Sequence, residues 1–374
     1  MTSTESWPAT TRAIVIRGKG VAAIDEAAPA PKLRDGYLRV RTTAVALNPT
    51  DWKHIDHVLG DPTGARVGCD YAGIVVEVGS GVTQFQPGDH IAGTAHGSNE
   101  SQHEDGTFAE HIVVKAALAF TIPKNLSNVE AATLGLGAGT VGQGLYQALK
   151  MKLPTEPLTK PEPVLIYGGS TATGVLGIQF AKLSGYRVIT AASPHNRAYL
   201  QSLGADAVFD YHDADAFVAD VAATVKAWGL GGLRLVWDCI SSEQTARLSA
   251  RALSAAAGDD STATLLYRNL LPVPADVLTA VDRRIDSAGT FFYTALGEPF
   301  VKGIAFPAVP ADFAFATRFI ALTADLAASG KLKPVKPIVN RGGAGLDGVL
   351  VGLQELKADK VSGGKLVYTI GPQE

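Results

Sequence analysis

The sequence has few cysteines and little net charge, and both shortages exclude classes of protein. Cys69 and Cys239 are the only cysteines in 374 residues, so no disulfide framework can form, which favours a reducing, cytoplasmic location. The formal net charge of −3 is spread without blocks of one sign, which argues against binding to nucleic acids or membrane surfaces. The first twelve residues lack an apolar core and include Glu5, so we expect no signal peptide.

Long apolar runs and internal repeats are also missing. Residues 131–149 carry no charge, but their five glycines and two glutamines favour a buried segment that lines a ligand site over a membrane span. The sequence shows no internal period of roughly 20–50 residues, which argues against a repeat protein. At 374 residues the chain is longer than a usual single domain, and its apolar fraction of 46% suffices for more than one hydrophobic core. We therefore predict two domains.

Residues 164–192 are the most informative segment, because they read as strand, glycine-rich turn, helix and second strand. The turn begins at Gly168, and Gly174 and Gly177 permit close approach of the backbone and tight packing of helix on strand. Apolar residues then recur at helical intervals until Gly185. Such a turn holds a dinucleotide pyrophosphate at a helix N-terminus, although it can also be merely a tight turn. The segment therefore predicts a nicotinamide cofactor and hydride transfer.

The end of the second strand favours NADPH over NADH. A carboxylate there would bind the ribose 2′-hydroxyl and repel a 2′-phosphate, but residues 191–197 contain no acid. Ser193, His195, Asn196 and Arg197 stand there instead, and hydroxyl, amide and guanidinium donors hold a phosphate. The alternative is a polar turn with an exposed arginine.

Two regions of different pattern flank a proline-rich stretch at residues 155–163, which reads as a linker. Before it, Ser127 and Glu130 form the capping box of a helix predicted over residues 125–150. In the same region, residues 93–107 read as a polar loop, and short apolar runs predict strands over residues 12–16, 37–46, 72–78, 90–93 and 109–115. After it, apolar runs alternate with helices, which predicts a parallel sheet with strands over residues 164–167, 187–192, 207–209, 233–238, 262–267 and 289–294.

The end of the sequence is expected to return to the first region. Residues 312–329 predict a helix that Gly330 closes, and residues 365–370 read as a strand. We therefore predict a discontinuous catalytic domain, residues 1–155 and 306–374, around a dinucleotide-binding domain, residues 156–305.

The order of these regions, together with CDYAGIVVEVGSGVTQFQPGDHIAG, resembles medium-chain dehydrogenases/reductases over nearly the full length. The segments AVALNPTDWK, YGGSTATG, AASPHN, FDY and SGGKLV are more specific, since they resemble fungal trans-acting enoyl reductases of the lovastatin-pathway type. The resemblance implies an α/β fold with a β-rich GroES-like catalytic domain and an inserted Rossmann nucleotide-binding domain. It further implies NADPH-dependent reduction of an α,β-unsaturated thioester on the acyl-carrier protein of a highly reducing polyketide synthase.

The resemblance also bears on zinc. Zinc-dependent members of the superfamily carry C-H-x-D followed downstream by G-H-E, whose thiolate, imidazole and carboxylate suit a tetrahedral zinc ion. At the matching positions this chain has Asn48 and Cys69, which implies catalysis without a metal. We expect His96 and His103, in the polar loop, to be solvated surface residues, and we assign no metal to them or to His111.

In the reductases that the chain resembles, both domains hold NADPH. The resemblance assigns cofactor binding to Thr50, Asp51, Trp52, Lys53, Ser170, Thr171, Ala172, Thr173, Ser193, Pro194, His195, Asn196, Tyr211, Leu266, Ser362 and Gly363. Leu266 belongs to the nicotinamide side in this assignment. Tyr211 could stack on adenine or simply close a strand, and Asp51 is expected to be structural, at a helix start, rather than a base.

Lys53 and Thr140 are the catalytic candidates. Lys53 can bind the nicotinamide ribose or protonate an enolate if partial burial lowers its pKa; the alternative is an exposed lysine at a helix start. The substrate is expected near residues 293–300 and along Gly135, Leu136, Gly137, Ala138, Gly139, Thr140, Val141 and Gly142, where the Thr140 hydroxyl could donate to a thioester carbonyl. These glycines also suit close helix packing, and the two interpretations are compatible.

Two other functions stay open at this point. One is a free-standing NADPH-dependent quinone or enone oxidoreductase that acts on small molecules. The other is a non-catalytic NADPH-binding protein. The GGSTATG and SPHN segments favour the polyketide enzyme, for which a monomer is favoured over a dimer.

Overall fold

The structure, a computed structural model, describes residues 7–371, which divide into two compact units. The first unit comprises the described residues up to Gly139, Phe292–Gly330, and the described residues from Pro334 onward. The second comprises Thr140–Phe291 and Lys331–Lys333. The domain division at 155/156 and 305/306 stays a prediction. No helix within residues 7–371 has both the length and the apolar character that crossing a bilayer requires.

The first unit is built on antiparallel strands. Its elements before the second unit are β1 (Thr10–Gly18), β2 (Val21–Pro29), β3 (Tyr37–Ala46), α1 (Pro49–Ile55), β4 (Asp70–Val78), β5 (His90–Thr94), β6 (His111–Lys115), β7 (Ala119–Thr121) and α2 (Asn128–Ala131). Helix α3 (Gly135–Val141) includes the boundary between Gly139 and Thr140. Strands β3, β4, β5 and β7 are neighbours in that order, β6 pairs with β3, and β1 pairs with β2. Apolar side chains such as Val40, Tyr71 and Ile112 form a core on this sheet.

The second unit is a parallel sheet between helices. Its elements are β8 (Pro163–Tyr167), α4 (Ala172–Leu183), β9 (Arg187–Ala191), α5 (Arg197–Ser202), β10 (Ala207–Phe209), α6 (Ala214–Trp228), β11 (Leu235–Asp238), α7 (Glu243–Ala255), β12 (Leu265–Asn269), α8 (Ala275–Thr279) and β13 (Ile285–Gly289). The strand order is β10-β9-β8-β11-β12-β13, with parallel pairs throughout. Numbered from β8, this is the Rossmann order 3-2-1-4-5-6, in which the winding reverses between β8 and β11.

The chain then returns to the first unit. The last elements are β14 (Phe300–Lys302), β15 (Ile304–Phe306), α9 (Pro310–Ala328), β16 (Pro337–Val339), α10 (Gly345–Lys357) and β17 (Lys365–Thr369). Strand β17 pairs antiparallel with β3 and parallel with β16, so the tail becomes part of the first unit's large sheet. The predicted helix before Gly330 and the predicted terminal strand are confirmed.

Several local predictions need correction. The single helix predicted over residues 125–150 is broken into α2, α3 and a π-helical segment, Gly142–Ala148, because glycine weakens a helix interior. Its capping box is confirmed, since the Ser127 N–H donates to Glu130 Oε2 at 2.9 Å. The strand predicted over residues 289–294 lies at β13 instead. Strand β2 was missed because VAAIDEAAP is alanine-rich and poor in β-branched residues.

Candidate functional site

The glycine-rich turn joins β8 to α4 at the point where the winding of the sheet reverses. Gly168 has φ +80°, in the left-handed region that favours glycine. A Cβ on Gly174 would lie 2.3 Å from the Gly168 carbonyl oxygen, and one on Gly169 would lie 2.0 Å from Thr190 Oγ1. Side chains have no room at these positions, so glycine allows the turn to pack tightly between β8 and α4, as the phosphate-binding turn of such a sheet requires.

The side chains of this turn that are predicted to bind the cofactor have different roles. Thr171 caps α4: its Oγ1 accepts the Gly174 N–H at 2.9 Å and donates to the Gly168 carbonyl at 2.8 Å. That hydroxyl is therefore committed to the turn itself. Ser170 and Thr173 are partly exposed, and neither side chain has a hydrogen-bond partner among the described residues, so their hydroxyls are the available donors. Ala172 offers its backbone N–H.

Strand β11, on the other side of the reversal, ends in a buried carboxylate that sequence reasoning missed. Asp238 accepts the Ser241 N–H at 2.9 Å and the hydroxyls of Thr245 and Tyr267, each at 2.7 Å. Burial raises the pKa of Asp238. Since these partners lie in the following loop, α7 and β12, Asp238 shapes the loop. An acid at the carboxyl end of a predicted parallel strand was the available signal.

The predicted 2′-phosphate residues lie together just beyond β9. Ser193 Oγ is 3.4 Å from the Tyr211 hydroxyl oxygen, and Asn196 Nδ2 is 3.1 Å from His195 Nε2. The Tyr211 residue is 36% exposed and its ring stacks on the ring of His212 at 4.5 Å. His195, Pro194 and Arg197 are exposed. This donor set without a carboxylate fits the adenosine end of a phosphorylated dinucleotide.

Leu266 lies near the amino end of its strand, β12, whereas its predicted role requires a place at the carboxyl ends of the strands. The strand register aligns Leu266 with Leu235, and Leu235 with Val164, near the amino end of β8. The carboxyl edge, where ligands of such sheets bind, is reached at Asn269. The assignment of Leu266 to the nicotinamide side stays a prediction, which this register disfavours.

Helix α1 presents the predicted first-unit residues in different environments. Lys53 is partly buried, and this burial lowers its pKa. Thr50 is partly exposed and Trp52 packs against the apolar core. Asp51 is buried, its carboxylate accepts the Asn48 N–H at 2.7 Å, and burial raises its pKa to about 7. That contact is the capping role expected of Asp51.

Charged and polar groups that do not fit a zinc ion occupy the positions matching a zinc site. The ammonium of Lys365 contacts the carboxylate of Asp70 and donates to Asn48 Oδ1 at 2.9 Å, while Asn48 Nδ2 donates to Asp70 Oδ2 at 2.9 Å. Burial raises the pKa of the Cys69 thiol well above its usual value, which opposes the thiolate that zinc requires. In residues 7–371, no group of three His, Cys, Asp or Glu side chains could hold a metal ion.

The same contacts bring the tail to α1, because Asn48 is the N-cap of that helix. Ser362 and Gly363 come shortly before Lys365, which donates to Asn48. The structure thus places Lys365, two residues after Gly363, at the N-terminus of the helix that carries Thr50 and Lys53.

Most of the predicted substrate segment is buried by close packing. A Cβ on Gly139 would lie 2.2 Å from the Phe292 ring, and one on Gly135 would lie 2.3 Å from the Gly93 carbonyl oxygen. Within residues 135–142, Leu136 and Thr140 are the partly exposed side chains; the other six residues are buried. Four residues apart on α3, these two share one face. The packing interpretation of the glycines is therefore correct for Gly135 and Gly139.

A polar cluster around Tyr293, in the first unit, was also missed. The ring of Tyr293 lies 4.7 Å from the ring of His96 and 5.7 Å from that of His54, and the Lys302 ammonium is 4.2 Å from its centroid. Burial lowers the pKa of His54 to about 3 and that of Lys302 to about 8. No sequence signal links these residues, since they come from α1, the loop after β5, and the segment around β14.

The expectation for His96 is wrong. His96 is 8% exposed, because its loop packs tightly: a Cβ on Gly97 would lie 2.2 Å from the Gly68 carbonyl oxygen. Polar composition suggested a solvated loop, but Asp105 and Thr107 are buried there as well, and Asp105 pairs with Arg34. His103 is exposed, as expected.

Comparisons with known proteins identify the family. Two family models match: "Alcohol dehydrogenase GroES-like domain" over residues 34–124 and "Zinc-binding dehydrogenase" over residues 172–302. The trans-enoyl reductase resD of Aspergillus sclerotiorum is 44% identical over 372 residues, which cover 96% of this chain and the whole relative. The chain belongs to the trans-enoyl reductase family. It is also 51% identical to the trans-enoyl reductase TOXD of Cochliobolus carbonum, over 73% of this chain and 86% of that protein.

Solved structures confirm the expected fold class. An alcohol dehydrogenase superfamily protein from Novosphingobium aromaticivorans superposes with a TM-score of 0.75 at 23% identity, covering 97% of this chain and all of that one. The α/β fold with GroES-like and Rossmann domains is therefore confirmed, as is the resemblance to enoyl reductases. This family of oxidoreductases uses a nicotinamide cofactor, and the turn after β8 fits one.

Proposed function

We propose that the chain catalyses the NADPH-dependent reduction of an α,β-unsaturated thioester. The observation that carries the choice of NADPH is the donor set beyond β9, where Ser193, His195, Asn196 and Arg197 stand without an intervening carboxylate. A carboxylate at this place would repel a 2′-phosphate, whereas these donors attract one. Family membership supports the enoyl substrate.

The protein's part in this reaction is to bind, orient and donate protons. The cofactor, when bound, supplies a hydride, and conjugation makes the β-carbon of the substrate its acceptor. The turn after β8, with Ser170 and Thr173, holds the pyrophosphate. Thr50 and Lys53 bind the nicotinamide ribose, and the lowered pKa of Lys53 suits proton transfer to the α-carbon of the enolate.

Thr140 and Leu136 support the placement of the substrate on α3. Both side chains are partly exposed on one face of that helix, where the Thr140 hydroxyl can donate to a thioester oxygen and Leu136 can contact an acyl chain. We assign the remaining cofactor contacts to Tyr211, Ser362 and Gly363. The catalytic domain of the proposal is residues 1–155 with 306–374, and the nucleotide-binding domain is residues 156–305.

The substrate partner in this proposal is the acyl-carrier protein of a highly reducing polyketide synthase. The segments YGGSTATG and AASPHN, which resemble the trans-acting reductases, support it. A monomer that docks transiently suits a carrier that must visit several active sites. A cytoplasmic location, expected from the cysteine count, belongs to the same proposal.

The experiment measures NADPH consumption with a crotonyl-pantetheine thioester and, in parallel, with a simple quinone. Turnover of the thioester with little turnover of the quinone supports the proposal. Faster turnover of the quinone would identify a free-standing quinone reductase instead. Tight NADPH binding without turnover of either substrate would identify a non-catalytic binding protein. The variant Lys53→Met should lose thioester turnover, while the exposed Lys226→Met should retain it.

A further inference from the structure

Lys302 is a buried cation for which the described part of the chain shows no direct ion pair: burial lowers its pKa, and Cys69 and Glu100 act on it only electrostatically, to raise it. The residue is 3% exposed, its ammonium donates to the Ser98 carbonyl at 3.2 Å, and the same nitrogen lies over the Tyr293 ring, 4.2 Å from the centroid. In the described part of the chain, no carboxylate lies within ion-pair distance of this nitrogen. Burying an unpaired charge costs free energy, so a purely structural role does not account for a lysine here.

The ring under this cation is hydrogen-bonded to a residue of the proposed cofactor site. The Tyr293 hydroxyl and Thr50 Oγ1 are 2.8 Å apart, and the Cys69 thiol is a second hydrogen-bond partner of that hydroxyl. On its other side, Thr50 is held by His54, whose Nδ1 lies 2.7 Å from the Thr50 carbonyl oxygen. His54 is neutral because burial lowers its pKa to about 3, so its single ring proton sits on Nδ1 and donates to that carbonyl.

The position of the ammonium decides which hydroxyl donates. A cation over the ring face withdraws electron density from the phenol, which strengthens the Tyr293 O–H as a donor and weakens its oxygen as an acceptor. Because a thiol sulfur is a weak acceptor, we infer that Tyr293 donates to Thr50 rather than to Cys69, and that the Thr50 proton points to another acceptor. Without the cation, the two hydroxyls can exchange roles.

We propose that Lys302 is a positioning residue that acts through Tyr293 to direct the hydroxyl proton of Thr50 toward an acceptor on the bound dinucleotide. The inference rests on the proposed function, in which Thr50 binds the cofactor. The acceptor is a ribose hydroxyl oxygen, the class of group expected at the nicotinamide end. Lys302 and Tyr293 do not themselves touch the cofactor.

The test compares Lys302→Met, Lys302→Arg and Tyr293→Phe with wild type by fluorescence titration of NADPH and by steady-state kinetics. Lys302→Met and Tyr293→Phe should each weaken NADPH binding by roughly five- to tenfold, the size expected for one misdirected hydrogen bond. Lys302→Arg should restore most of the affinity. The double variant Lys302→Met/Tyr293→Phe should be no worse than either single variant, because both remove the same interaction. The matched control is the exposed Lys226→Met, which should bind as wild type does.

Two further readouts separate positioning from folding. Lys302→Met should melt at or above the wild-type temperature, because it removes an unpaired buried charge. Wild-type NADPH affinity should fall as the pH rises through about 8, where Lys302 loses its proton. This fall should be smaller in Tyr293→Phe, which keeps only the fall caused by deprotonation of other cofactor-binding groups such as Lys53.

Three results would overturn the inference: unchanged affinity in Lys302→Met, additive losses in the double variant, or a pH-dependent fall that is as large in Tyr293→Phe as in wild type. If Lys302→Met does not fold, the pH comparison between wild type and Tyr293→Phe decides alone. Failure of the proposed function is distinguishable, because wild type itself would then fail to bind NADPH or to reduce the thioester.

Discussion

Lys365 and Asp70 form an ion pair whose side chains are 1% and 0% exposed. Lys365 begins the tail strand β17 and Asp70 begins β4, so the pair joins two distant parts of the sequence within one sheet. Asn48 hydrogen-bonds to both, and Asp70 Oδ1 also accepts the Leu136 N–H at 2.6 Å. The pair therefore ties the tail, the start of α1 and the start of α3 to one point.

Replacing Lys365 with methionine should destabilise the protein strongly. The change leaves the Asp70 carboxylate buried without a counter-charge, which costs about 3–5 kcal/mol. Urea denaturation measures the free energy of unfolding. The matched control is Lys357→Met, which breaks the exposed pair with Asp56 (side chains 44% and 23% exposed) and should cost under about 1 kcal/mol. Equal costs for the two variants would contradict the assigned role of the buried pair.

A carboxylate placed beyond β9 should change cofactor preference. Ser193→Asp puts a negative charge where the 2′-phosphate is proposed to bind, so NADPH affinity should fall about tenfold or more, as expected for losing a charge-assisted contact. Affinity for NADH should fall less or improve. Titration with both cofactors checks this, with Ser202→Asp on the exposed part of α5 as the control. A parallel loss of both affinities would argue against the phosphate site.

The substitution Gly174→Ala should abolish tight cofactor binding. Its Cβ would lie 2.3 Å from the Gly168 carbonyl oxygen, and backbone atoms of the turn cannot yield without moving the phosphate cradle. Gly229→Ala is the control for strain: its φ is +63° and its Cβ would meet nothing within 4 Å, so it should cost about 1 kcal/mol of stability and leave NADPH affinity unchanged. Retained affinity in Gly174→Ala would place the cofactor elsewhere.

Stability should depend on pH through Lys302. Burial lowers its pKa to about 8 from the usual 10.5, so between these values the unfolded chain binds more protons than the native protein. Native stability therefore rises with pH across this window, by at most about 1.4 kcal/mol per unit. Below pH 8 both states are protonated and the full desolvation cost is present.

The measurement is urea denaturation at several pH values for wild type and Lys302→Met. The stability advantage of Lys302→Met should be largest at pH 7 and should shrink above pH 8. Lys226→Met, at an exposed position, should follow wild type at every pH. An advantage that is constant with pH would show that Lys302 has the same pKa in the native and the unfolded protein, so that burial does not lower it.

Local pattern predicted much of this protein because local physics decides it. The sequence located β3 at residues 37–46 and the Ser127–Glu130 capping box, since alternation and capping act over a few residues. It also identified the turn at Gly168, where a backbone conformation requires glycine. Where glycine interrupts a helical pattern, as in residues 125–150, the sequence did not show where the helix breaks.

The burial of polar residues could not be predicted from local sequence pattern. His96, Asp105 and Thr107 lie in a segment of polar composition, and their burial follows from packing against residues such as Phe300 and Arg34, far away in the sequence. The position of Leu266 along its strand could not be predicted either, because it depends on the register of β12 against β11.

The sequence by itself determined the class of cofactor, the family and the order of the two structural patterns, because glycine turns, capping residues and strand alternation are short-range properties. Tertiary structure alone decided which polar side chains lose water. It set Lys365 against Asp70 and Lys302 over Tyr293. Loss of water at those places raises the free energy of the charged groups. Such energies depend on atoms that the chain brings together only when it folds.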